Sequence, residues 1–261
     1  IVVLIVAFLI LEALPALHHI GWLRFFTDPS WHPTEGFYNL TPMLWGTLFA
    51  MAGAVMIATP LGILSAVFCH YYAPPCIARP YRRLIELLAG IPSVVYGLWG
   101  LVVLVPLIGE LHPPGPSLLA GIVILAMMIL PTIALMADAS LVNVPPQYVR
   151  GAAALGLPRW ATIQGIVLPA AKSGLFTGVI LETGRAIGET MAILMVCGNV
   201  VQTPSSIFDP VRTLTANIAL EMAYALGDHR AALFTSGLVL MAMIVALVIA
   251  AEWISRGRIY G

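Results

Sequence analysis

Arg185 and Glu189 are the residues best placed to do chemistry in this sequence, because both stand in an otherwise apolar stretch, Gly174 to Gly198. Four residues apart, they share a face if the stretch is helical, and Glu182 falls on a neighbouring strip. Counted from Gly174, Arg185 lies roughly 16 Å in, near the middle of a hydrocarbon core of about 30 Å. A charge there costs about 2.5–3.5 kcal/mol on insertion scales, so it must face protein or water. Two uses fit. Arg185 and Glu189 can form a stabilising pair between packed helices. They can also form an anion site on a translocation path, where the planar guanidinium grips two oxygens of an oxyanion. Glu189 then holds Arg185 and keeps affinity low enough for release. Thr190 adds a hydroxyl donor. Ser93 and Tyr96 lie beside Pro92 in a Gly-Ile-Pro-Ser stretch. Pro92 frees backbone groups, so the stretch is either a packing kink or a cavity lining, and the second makes both residues pathway candidates.

Other chemistries lack their residues. The only lysine, Lys172, precedes Ser173, but a phosphate-binding loop would need glycines where Ile166 and Ala171 stand. Cys69, Cys76 and Cys197 form no CxxC pair, and no HExxH occurs, so no metal site is assigned. An intramembrane enzyme would need a nucleophile motif such as Gly-x-Ser-x-Gly, which is absent. An ion-coupled carrier could show inverted repeats, and none is visible.

The elements that must position Arg185 follow from composition. The chain is 60% hydrophobic and 9% charged, with a mean hydropathy of +0.97. Soluble domains carry roughly 25% charged residues, so the expected architecture is all-α and polytopic, with about six transmembrane helices. The predicted spans are Met43 to Phe68, Leu84 to Ile108, Ser117 to Ala137, Gly174 to Gly198 and Ala231 to Ala251, each near the length that crosses a bilayer. A sixth run, Ile1 to Leu14, is interrupted by Pro15, is short for a span, and reads as one whose start is missing or trimmed. The connections are 18–42, 70–83, 109–116, 141–173 and 199–230. Alternate connections and the C-terminus carry Arg79, Arg82, Arg83, Arg150, Arg159, Lys172, Arg256 and Arg258. The opposite side carries Arg24, Arg212 and Arg230. The positive-inside rule puts the richer side in the cytoplasm and, with six spans, both termini there too. Asp138, near the cytoplasmic end of its span, reads as interfacial.

The connection from Val144 to Pro169 has a local design of its own. Pro145 and Pro146 stop the preceding span. Residues 147–155 form a short Ala-rich helix. Gly156 ends it through a left-handed turn. Arg159 to Val167 form a second helix closed by Pro169. On residues alone this is either an ordinary interfacial loop or a rigid cytoplasmic knob.

The Ala-Ala…Gly…Ile-x-Leu-Pro pattern at Ala152, Gly156, Ile166, Leu168 and Pro169 resembles the EAA coupling loop of ABC importer permeases. Aligned on Gly156, the family's glutamate falls on Arg150 and its first alanine on Gly151, which reverses the charge offered to a partner. Glu86-Leu-Leu-Ala-Gly-Ile-Pro-Ser-Val-Val-Tyr-Gly97 and Gly184-Arg-Ala-Ile-Gly-Glu-Thr-Met-Ala-Ile-Leu-Met-Val-Cys-Gly-Asn199 narrow the likeness. They resemble the third and fifth spans of the bacterial phosphate-specific (Pst) ABC importer permeases, of the PstC type. Trp31 with Pro33, and Gly46-Thr-Leu leading to Pro60-Leu-Gly, agree with it. Glu182 stands where that family more usually has an apolar residue.

The resemblance implies a type I permease fold with a cytoplasmic coupling helix, one permease domain over 1–261 with its core at 43–255 and its coupling loop at 145–170. It implies an inner-membrane subunit for inorganic phosphate, with Arg185, Glu189, Thr190, Ser93 and Tyr96 on the pathway. Arg150, Ala152, Gly156, Arg159, Trp160 and Leu168 would face the ATPase. Implied partners are a second, PstA-type permease, ATPase subunits, an extracytoplasmic phosphate-binding protein and membrane lipid, with no nucleic acid. No cofactor belongs to this chain, since ATP and magnesium would sit on the partner. Another oxyanion, sulfate or molybdate, is the alternative cargo.

Overall fold

The computed structural model describes residues 1–256. Arg258, counted above with the cytoplasmic basic residues, lies outside them. Apart from one two-stranded hairpin and an isolated bridge, the described residues form helices and turns. The principal helices are α1 (Val2–His19), α2 (Thr41–Tyr72), α3 (Pro75–Ala89), α4 (Ser93–Leu111) and α5 (Leu118–Val142). They continue with α6 (Pro146–Ala154), α7 (Arg159–Gly188), α8 (Met191–Val196), α9 (Leu214–Glu221) and α10 (Gly227–Arg256). Among the described residues, five helices are long and apolar enough to cross a membrane: α2, α4, α5, α7 and the Gly227–Ala251 part of α10. A shorter apolar helix, Val3–His19, accounts for the sixth predicted run.

Three sequence expectations are corrected. Pro15 does not end α1, which runs through it to His19; interior prolines also occur in α2 and α5, as membrane helices tolerate when freed backbone groups find other partners. The span predicted from Leu84 starts later. Pro75–Ala89 is a separate amphipathic helix, and the spanning helix begins at Ser93. Pro92 is the break, because it lacks an N–H and pushes the preceding residue out of the helical region. Ser93 and Tyr96 therefore open the span rather than interrupt it. Lastly, Pro169 does not close the helix begun at Arg159. A wide turn over Ile163–Val167, in which the Leu168 N–H reaches back five residues to the Ile163 carbonyl, carries the helix on within α7. The shifted ladder accommodates a residue that has no N–H to give. The fifth span thus begins at Arg159, not Gly174.

The chain forms two compact units. One comprises residues 1–53, 92–125 and 187–250; the other comprises 54–91, 126–186 and 251–256. In the first, Trp31 pairs with Tyr38 and His32 with Phe37 across the hairpin. Trp31 and Tyr38 join Phe25, Leu40, Met43, Leu214 and Leu233 in one apolar cluster. α4 packs on α8. A Cβ on Gly97 would lie 2.8 Å from the Ala192 backbone, so only glycine permits this approach.

In the second unit, Val67, Leu141, Ile163 and Val167 centre a smaller core. α5 and α7 meet where Gly174 faces Ser140 and Gly178 faces Met136, small residues again allowing the contact. Asp138 on α5 receives Arg82 of α3 at 2.9 Å, with His70 3.7 Å away. It fastens the amphipathic helix to the span.

Candidate functional site

Arg185 sits in the last turn of α7 with its side chain 40% exposed, whereas the Glu182 side chain is only 9% exposed. The ion pair it makes is with Glu182, Nη1 to Oε2, at 3.8 Å. This corrects the expected partnership with Glu189. The i, i+4 relation holds only inside a helix, and α7 ends at Gly188. Glu189 instead accepts the Ala192 N–H at 3.1 Å, capping the first turn of α8. The Thr215 hydroxyl donates to the Glu189 carbonyl at 2.8 Å, and the Thr190 hydroxyl to the Gly188 carbonyl at 3.2 Å. The break at Glu189–Thr190 is thus held at both backbone and side chain.

Ser93 and Tyr96 lie on α4, which packs against the α8 that Glu189 and Thr190 introduce, so one unit brings these four residues onto adjoining elements. Tyr96 is buried and Ser93 half-buried. Arg185 belongs to the other unit.

The helix and glycine elbow expected from sequence are present at α6 and Gly156, and the elbow leads into the start of α7. The N–H of Leu157 reaches the Ala152 carbonyl at 3.1 Å, and that of Gly156 the Ala153 carbonyl at 3.0 Å. Gly156 itself has φ +72°. This is a Schellman cap, which satisfies the last carbonyls of α6 and wants glycine at its left-handed residue. Ala152 is buried beneath it, while Arg150, Arg159 and Trp160 are exposed and Leu168 is half-buried. Tyr148, Leu155 and Leu157 add exposed apolar surface. Exposed apolar patches of this kind mark interaction sites. A cleft of about 320 Å³ runs between Val149, Ala153, Leu157, Arg159 and His70.

One cluster has no counterpart among the sequence expectations. Glu221, buried at the end of α9, accepts Arg212 at 2.7 Å, Trp31 Nε1 at 2.9 Å and His229 Nε2 at 2.8 Å. Arg212 also donates to the Asn199 carbonyl and to Asn217. Trp31, Arg212, Glu221 and His229 border a cleft of about 590 Å³ with His32, Pro33 and Tyr224. Trp31 and Glu221 are 190 residues apart, and no local pattern announces that pairing.

Nearby, the segment 205–209 caps α5. The Asp209 and Ile207 carbonyls accept the N–H groups of Leu118 and Leu119. The Asp209 carboxylate accepts the Ser205 hydroxyl and the N–H groups of Ser205 and Ser206, which hold its carboxyl below the ordinary carboxylate range.

Comparison with known proteins gives a consistent picture. The family described as "Binding-protein-dependent transport system inner membrane component" matches residues 58–260. The phosphate transport system permease protein PstC of Mesorhizobium japonicum is 38% identical over 255 residues, covering 89% of this chain and 76% of that one. The PstC protein of Haemophilus influenzae is 34% identical over 246 residues, covering 86% and 78%. Among solved structures, an inward-facing MetNI methionine ABC transporter superposes with a TM-score of 0.64 at 20% identity, over 84% of this chain and 93% of that one. A bacterial alginate ABC transporter bound to its periplasmic protein gives 0.68 at 15%, over 94% and 86%. Those two likenesses speak for the fold alone.

Proposed function

This chain belongs to the family of binding-protein-dependent transport system inner membrane components, and on that premise we propose that it is the PstC-type permease subunit of an ATP-driven importer of inorganic phosphate. The observation that carries the cargo is identity above one third, over most of the chain, to phosphate transport permeases. The chain is a membrane-embedded half of a pore with a coupling surface, and ATP hydrolysis is the work of a separate subunit.

Phosphate is handed over by an extracytoplasmic binding protein that meets the segments at 18–42 and 199–230. Within the pore, Arg185 takes two phosphate oxygens in its fork. Counted from Lys172, the preceding basic residue of α7, Arg185 is about 20 Å along the axis, which keeps it at membrane depth. Its exposure leaves the fork open, and the Glu182 carboxylate beside it tempers its charge so that the anion is released. Ser93, Tyr96, Glu189 and Thr190 serve the pathway from α4 and the break before α8. At the cytoplasmic face Arg150, Gly156, Arg159, Trp160 and Leu168 form the surface on which the ATPase acts, and Ala152 packs beneath it. Both chain ends lie on that side, a PstA-type permease completes the pore, and no cofactor resides in this chain. The spans switch between outward and inward opening as the ATPase closes.

Reconstituted with its partner subunits and the binding protein, the complex should take up radiolabelled phosphate on addition of ATP. Arg185→Ala should abolish uptake while the complex still assembles; uptake at the unaltered rate would remove Arg185 from the pathway. Uptake of sulfate in preference to phosphate would give the cargo to the alternative oxyanion.

A further inference from the structure

We propose that Glu182 makes the Arg185 site selective for an oxyanion that still carries a proton. The proposal rests on the pathway role of Arg185. Glu182 has a side chain 9% exposed, and its Oε2 is buried without a hydrogen-bond partner among the described residues. Arg185 Nη1, 3.8 Å away, balances its charge but is too distant to donate to it. Buried acceptors in folded proteins are nearly always satisfied, so an orphan carboxylate oxygen beside an exposed cation asks for a donor that arrives with the ligand.

The pair offers an anion two different contacts. Arg185, 40% exposed, supplies N–H donors to ligand oxygens, and Glu182 supplies an acceptor one turn back on the same helix. Phosphate at neutral pH is a mixture of H₂PO₄⁻ and HPO₄²⁻, and each form has at least one P–O–H. With two oxygens on the guanidinium, that hydroxyl can swing to Glu182 and donate. Sulfate and molybdate are fully ionised at this pH and only accept. Against them Glu182 sets one acceptor, and one negative charge, directly opposite another. Discrimination thus comes mainly from rejecting the wrong anion. Sites built to hydrogen-bond a hydroxyl exclude analogues lacking it far more strongly than apolar pockets separate isosteres.

The test is equilibrium binding of radiolabelled phosphate to the permease–ATPase complex in lipid nanodiscs, without the binding protein, which would impose its own selection. Sulfate and arsenate serve as competitors; arsenate keeps an O–H at neutral pH. The unaltered complex should be displaced by arsenate at concentrations similar to phosphate and by sulfate only at about a hundredfold more. In Glu182→Gln, and in Glu182→Leu as a second variant that removes all polarity, sulfate should compete within about tenfold of phosphate, with arsenate unchanged. Phosphate binding lost in Arg185→Ala together with sulfate competition unchanged in both Glu182 variants overturns the proposal alone. Phosphate binding indifferent to Arg185→Ala overturns the pathway reading and the proposal with it.

Discussion

Removing the Glu221 carboxylate should cost the unit containing it about 3 kcal/mol. Glu221→Ala takes away the acceptor of three donors at 2.7–2.9 Å: Arg212, Trp31 Nε1 and His229. Breaking a buried ion pair on one side costs about 3–5 kcal/mol, and an orphaned buried N–H a further 1–3 kcal/mol or so. Two features remove most of the second cost and pull the first to its lower end, about 3 kcal/mol. Arg212 keeps its bonds to Asn199 and Asn217, and the adjoining cleft admits water to Arg212 and His229. For a chain of this size, about 3 kcal/mol corresponds to a fall of roughly 6–12 °C in Tm. Cys197, in the same unit, is fully buried and so reports unfolding by its reaction with a fluorogenic maleimide, provided the exposed Cys76 is first replaced by serine. The double-mutant cycle decides the cause. Arg212→Ala with Glu221→Ala should be less damaging than the two single losses added together, because the second change removes a charge the first has stranded. Through Trp31 and His229 the Glu221 carboxylate ties the hairpin and α10 to α9; additive losses, or a Tm shift below about 1 °C for Glu221→Ala, would refute that role.

Other outcomes follow from the same structure. Gly156→Val must place a β-branched residue at φ +72°, a strain of about 1–3 kcal/mol. It should leave ATP hydrolysis running while phosphate uptake falls, measured side by side in proteoliposomes. Arg185→Lys keeps the charge but loses the fork, so uptake should drop at least tenfold rather than vanish, since one donor direction replaces two. The lowered Asp209 carboxyl stabilises its turn at pH above the ordinary carboxylate value. That contribution is lost as pH falls through the lowered value, because the protonated carboxyl no longer holds the Ser205 and Ser206 donors. Amide exchange at Ser205, Ser206 and Leu118 should therefore rise together below about pH 4, and Asp209→Ala should give fast exchange at neutral pH.

Much of the fold is legible in local sequence rules. Apolar run length alone locates the spanning helices near Met43, Ser117 and Ala231, and the left-handed turn at Gly156 follows from glycine after an Ala-rich stretch. Both depend on a residue and its near neighbours. The helix bounds around Pro92 and Pro169 depart from expectation because a proline's effect depends on what surrounds it. At Pro92 the chain bends and restarts. At Pro169 a wide turn just before it absorbs the missing N–H.

Arg185 shows where the boundary lies. The sequence by itself determined that a guanidinium would stand in an apolar span and that it would need an acidic neighbour, since an unpaired charge there is costly. Only the tertiary structure decided which one. α7 stops at Gly188, so Glu182 faces Arg185 while Glu189 is spent on the Ala192 N–H. In the same way the sequence supplied Trp31, Arg212, Glu221 and His229, but their meeting is a matter of how distant elements pack. Hydrophobic length and turn chemistry are properties of short stretches, whereas a hydrogen-bond partner is chosen by geometry that no short stretch contains.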